Sequence, residues 1–112
     1  MKDFMFIFKG GGLQYDFSPE EMQQHMQKWF SWIEELKAKQ IYVAGEALMP
    51  VGKTVKGAKI LVTDGPFAES KELVGGFFII KAATIEDATE IAKGSPDLPL
   101  EGAVEVREVM KF

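Results

Sequence analysis

Apolar positions along the chain fall into seven runs punctuated by glycine and proline. Residues 3–9, rich in Phe, Met and Ile, lead into Gly10-Gly11-Gly12 and predict a short strand. A helix start follows, with Ser18 for the cap, Pro19 at the first helical position and Glu21 completing an S-x-x-E box. Met22, Met26, Trp29, Phe30, Ile33 and Leu36 then recur at spacings of three and four, the stripe of an amphipathic helix reaching about Lys39. Strand-like runs at about 41–49, Ala58–Thr63 and Phe77–Ala82 are separated by two breaks. One is a polar, glycine-punctuated turn or loop at 51–57, and the other is Asp64-Gly65-Pro66. Thr84 caps a second helix over 85–94, ended by Gly94 and Pro96, and a last strand runs from about Ala103 to Met110.

The order β-α-β-β-β-α-β predicts one α+β domain over residues 1–112, a ferredoxin-like sandwich with an extra strand. Strand 3–9 puts Phe4, Phe6 and Phe8 on one face and Met5 and Ile7 on the other, and strand 77–82 is apolar on both faces too. Two right-handed crossovers cover only one side of a sheet. The other side would be an apolar patch larger than a monomer tolerates, so a homodimer closed sheet to sheet is expected. A small-molecule cavity could occupy part of the same surface.

Composition narrows the chemistry. The formal charge is −4, which opposes direct binding to nucleic acid or to an anionic membrane. With no cysteine there is no disulfide, no thiolate nucleophile and no thiolate metal site. One histidine without cysteine makes zinc improbable, and neither a metal nor a cofactor is expected. The N-terminal apolar run is too short for a signal peptide or a membrane helix, so a cytoplasmic location is expected.

Gly52-Lys53-Thr54 imitates the end of a phosphate-binding loop, but Ala47 stands where that motif needs glycine, and no helix follows. His25 lies one turn from Met22 and Trp29 on the border of the helical stripe, either a half-covered helix residue or a general base. Glu46 follows Gly45 in an apolar strand, and that glycine suggests a bulge or a close backbone approach. Asp64 continues the alternation of Ile60 and Val62 before Gly65-Pro66. It is either a turn former or a carboxylate held at a pocket rim, with Glu69, Lys71 and Glu72 just beyond.

Asp64-Gly65-Pro66-Phe67-Ala68-Glu69-Ser70-Lys71-Glu72, with Gly75-Gly76-Phe77-Phe78-Ile79-Ile80 after it, resembles the signature of the DGPF branch of the YCII-related family. Val43–Leu48 and Val104–Val109 are similar to the same pattern. The resemblance implies a dimeric α+β barrel of ferredoxin-like protomers. Some DGPF members are encoded beside extracytoplasmic-function sigma factors. A more distant branch includes a chlorinated-hydroquinone dehydrochlorinase in which a histidine and an aspartate act together. His25 sits on the first helix, where that histidine is expected, whereas Asp64 belongs to the DGPF motif.

Two function classes follow. One is a small-molecule enzyme of lyase or proton-transfer type, with His25 and Asp64 as its catalytic pair and Glu46, Phe67, Glu69 and Lys71 contacting the ligand. The other is a noncatalytic dimeric ligand-binding or regulatory module, reaching transcription through a sigma factor rather than through DNA.

Overall fold

The computed structural model describes residues 1–65 and 70–112. Six strands, β1 (Lys2–Lys9), β2 (Tyr42–Ala47), β3 (Gly52–Lys56), β4 (Leu61–Gly65), β5 (Val74–Ala82) and β6 (Ala103–Glu108), accompany two helices, α1 (Pro19–Ala38) and α2 (Ile85–Ala92). β2, β5, β1 and β6 form, in that order, one antiparallel sheet, and β3 pairs with β4 as a separate ribbon. The order β2-β5-β1-β6 with helices in both crossovers is ferredoxin-like.

α1 begins on the capping box, in which Ser18 Oγ accepts from Glu21 N and the Glu21 carboxylate accepts from Ser18 N. It ends as a Schellman motif: Gln40, at φ 59, donates to Lys37 O, and Ile41 donates to Leu36 O. Phe4, Phe6 and Phe8 of β1 and Phe78, Ile80 and Ala82 of β5 form the floor of the core, under Trp32, Leu36, Ala88 and Ala92. Phe6 stacks on Trp32 with ring centroids 6.3 Å apart, and Phe8 meets Trp29 edge-on at 4.9 Å.

The structure rotates the expected helical stripe. α1 buries His25, Trp32 and Leu36 while leaving Met22, Met26 and Phe30 exposed. Spacing alone cannot choose between the two faces, because Trp29 and Ile33 border both. The expected loop at 51–57 is strand β3, and residues 57–60 form the turn to β4. The ribbon lies outside the core, so its exposed alternation lacks the apolar signal of a buried strand. The extra strand is thus an extra hairpin.

On the helix-free side, Met5 pairs with Ile79 and Ile7 with Phe77, all four half-buried. Glu46 lies opposite Phe77 on the β2 flank of this strip, and Arg107 lies opposite Met5 on the β6 flank. Among the described residues no helix is long and apolar enough to cross a membrane.

Candidate functional site

The site forms where the turn after β1, the first half of α1 and the loop after α2 meet. Asp97 stands in the Ser95-Pro96-Asp97-Leu98-Pro99 loop, and its own carbonyl accepts from Leu100 N and Gly102 N at 2.9 and 3.0 Å. Those two bonds fix the loop before its side chain does anything. The Asp97 carboxylate then takes three donors. Oδ1 receives His25 Nε2 at 2.5 Å and Trp29 Nε1 at 3.1 Å, and Oδ2 receives the amide of Gly12 at 2.8 Å.

Glycine makes this approach sterically possible. Gly11 adopts φ 66, and a Cβ there would lie 2.5 Å from Asp97 Oδ2. A Cβ on Gly102 would lie 2.8 Å from Asp97 O. The triple glycine brings backbone against a carboxylate where no side chain fits.

His25 is only 8% exposed, with Phe17 stacked on its ring at 5.1 Å and Tyr15 stacked on Phe17 in turn. With a carboxylate at Nε2, the neutral ring carries its proton there, as an N–H donor to Asp97. Nδ1 is left as the lone-pair nitrogen. It has no partner among the described residues, where the one sealed, unpartnered side-chain polar atom is Ser95 Oγ. Nδ1 therefore meets solvent. The arrangement can accept a proton at Nδ1 and face the resulting imidazolium with a fixed carboxylate.

The other expected site residues are placed elsewhere. Asp64 sits on β4 in the ribbon, largely exposed, where its carboxylate pairs with Lys53 across the strands. The carboxylate against His25 is therefore that of Asp97. Glu46 is exposed on the open sheet face, and the neighbouring Gly45 is tight as expected. A Cβ on Gly45 would lie 2.5 Å from the Phe78 ring, and β2 is irregular between Tyr42 and Ala44. Lys71 lies in the single turn Ser70–Glu72, beside the Gly11–Gln14 turn that carries the Gly12 amide. Phe67 and Glu69 lie outside the described residues.

Sequence reasoning missed Asp97 and Trp29. Trp29 was legible only as an apolar residue of the helix. Asp97 stands between two prolines just past the second helix, and nothing local ties it to a histidine 72 residues away.

An uncharacterised protein of Rhizobium meliloti (strain 1021) is 34% identical over 82 residues, 63% of this chain and 66% of its own length. Among solved structures, 5-chloro-2-hydroxyhydroquinone dehydrochlorinase from Burkholderia phenoliruptrix AC1100, in complex with 2,5-dihydroxybenzoquinone, superposes with a TM-score of 0.47. The identity is 17%, over 97% of this chain and 95% of that one. The YCII-related domain matches residues 4–112, and with nearly the whole chain inside that domain the protein belongs to the YCII-related family.

Proposed function

We propose that the protein is a small-molecule enzyme of proton-transfer or lyase type, with His25 as general base and Asp97 as the residue that orients it. One observation carries the reading: the His25 ring is bonded through Nε2 to a carboxylate that a backbone amide and an indole N–H also hold in place. Nδ1 takes the proton of an acidic C–H or O–H. In a lyase step, the freed electron pair forms the new double bond as the leaving group departs from the neighbouring carbon. The Asp97 carboxylate faces the imidazolium and stabilises it. Trp29 and Gly12 also donate to the carboxylate, one to each oxygen, so it need not reorganise during the step.

A panel of enolisable ketones, phenols and β-substituted carbonyl compounds in D2O, followed by proton NMR, tests this. We expect deuterium exchange or elimination with at least one class, lost in His25→Gln and preserved in Asp64→Asn. Equal turnover in His25→Gln would overturn it. A second reading, a noncatalytic ligand-binding or regulatory module, draws on how little of His25 reaches solvent. Panel members that shift the His25 and Trp29 ring signals without reacting would favour that module.

A further inference from the structure

Among the described residues, the β3–β4 ribbon is the part that the body leaves uncovered. Neither the buried core nor the apolar side chains packed around it include any residue from 48–65. Val55 and Val62 face each other across the ribbon and are 65% and 62% exposed. A two-stranded hairpin with none of the described core behind it is marginal in water. Its turn also holds Ile60, a β-branched residue, at φ 55, a left-handed conformation unfavourable for such a side chain. A ribbon with these handicaps needs a surface to rest on.

Area and charge say what that surface is. The chain exposes 7939 Å², against roughly 6,200 Å² for a compact monomer of its mass. The excess of about 1,700 Å² exceeds the ~800 Å² that one partner gives to a standard interface. Its radius of gyration is 15.4 Å, where a compact chain of this length has about 13 Å. The ribbon is basic, with Lys53, Lys56 and Lys59 against Asp64 alone, whereas the whole chain carries −4. The body is thus more acidic than the chain. A two-fold pair of copies satisfies both requirements, because each basic arm meets an acidic body that is not its own.

We infer that the ribbon is a dimerisation arm that packs its Val55–Val62 face against the body of a second copy, with the arm's net positive charge favouring the acidic partner. The inference does not depend on chemistry at His25. It also differs from sheet-to-sheet contact, which by itself would leave both arms free.

Light and heavy-isotope protein, refolded together and treated with an amine-reactive crosslinker, provides the test. Ribbon lysines should appear in crosslinked peptides that join a light chain to a heavy one, through body lysines such as Lys9, Lys28 or Lys37. Same-isotope pairs alone, no ribbon-to-body pairs, or a monomeric wild type would overturn the inference. As a second measurement, V55T/V62T keeps β-branched residues in the strands while removing apolar surface. Its dimer should dissociate about tenfold more readily with the near-ultraviolet signal of the aromatic core unchanged. A dissociation constant equal to wild type would also overturn it.

Discussion

His25 and Trp29, one turn apart on α1, donate to the same carboxylate oxygen, Oδ1 of Asp97. The helix thereby sets the acceptor geometry, and the Gly12 amide holds Oδ2 from the opposite side. A carboxylate with three donors on two oxygens has no low-energy alternative orientation, so the imidazole it faces has a fixed tautomer.

Asp97→Asn breaks this in either orientation of the amide. With its oxygen towards His25 and Trp29, the NH2 group opposes the Gly12 N–H. Flipped, it presents NH2 to Nε2 and drives the proton to Nδ1. We expect a stability loss of about 1–3 kcal/mol, the cost of leaving buried donors unsatisfied. Long-range proton–nitrogen NMR of the neutral ring should show Nε2–H in the wild type and loss of that preference in the variant. Asp64→Asn should leave the His25 spectrum as it is.

Gly11→Ala tests the glycine seat of Asp97. The substitution places an L side chain at φ 66 and a Cβ against the Asp97 carboxylate. The left-handed backbone alone costs roughly 1–2 kcal/mol, and displacement of Asp97 adds to it. Urea unfolding should show at least that loss, together with a weakened Nε2–H signal of His25. A variant as stable as wild type would mean that the turn relaxes freely and does not hold the carboxylate.

Much of the scaffold was legible because its signals are local. The capping box fixed the start of α1, the alternating phenylalanines marked β1, and Gly45 announced the close approach to Phe78. β3 was not legible, because a ribbon that contributes nothing to the core carries no alternation of apolar and polar residues to read. The choice of face on α1 went to His25, Trp29, Trp32 and Leu36, since two tryptophans and the Asp97 bond outweigh two methionines and Phe30. His25 was visible as a candidate, but its partner was not. The bond between them is made by a loop distant in sequence, whose prolines and glycines describe a bend and say nothing of what it bends towards.

Asp3 gives the pH dependence a definite direction. Its carboxylate bonds to Lys111 Nζ at 2.8 Å and to Lys81 Nζ at 2.9 Å, tying the C-terminal tail to β5. Those ammonium groups, Lys111 foremost, hold its pKa down at about 2, below the ordinary 3.8. A depressed folded-state value adds stability that is fully present above the unfolded value and lost as pH falls through the folded one. The melting temperature should therefore decline between about pH 4 and pH 2. Asp3→Asn should show a shallower decline there and a lower plateau near neutrality. Parallel curves for the two proteins would mean that the lysines give Asp3 no preference for ionisation.

The open sheet face carries the prediction for assembly. Met5, Ile7, Phe77 and Ile79 lie in two adjacent cross-strand pairs at its centre. Glu46 and Arg107 stand on the opposite edge strands β2 and β6, and among the described residues neither has an ion-pair partner on its own chain. A two-fold axis along the strands lays the β2 edge of one copy towards the β6 edge of the other, so the acid of each approaches the base of its partner. Ile79→Glu leaves the helix-covered core untouched, because Ile79 points away from Phe78 and Ile80. In a dimer closed on this sheet it would bury an unpaired carboxylate, at a cost of several kcal/mol unless the interface opens. Sedimentation should show the wild type at twice the 12.5 kDa chain mass and Ile79→Glu at the single-chain mass, with unchanged helical signal. A variant that stays dimeric at micromolar concentration would place the contact between copies on some surface other than this sheet.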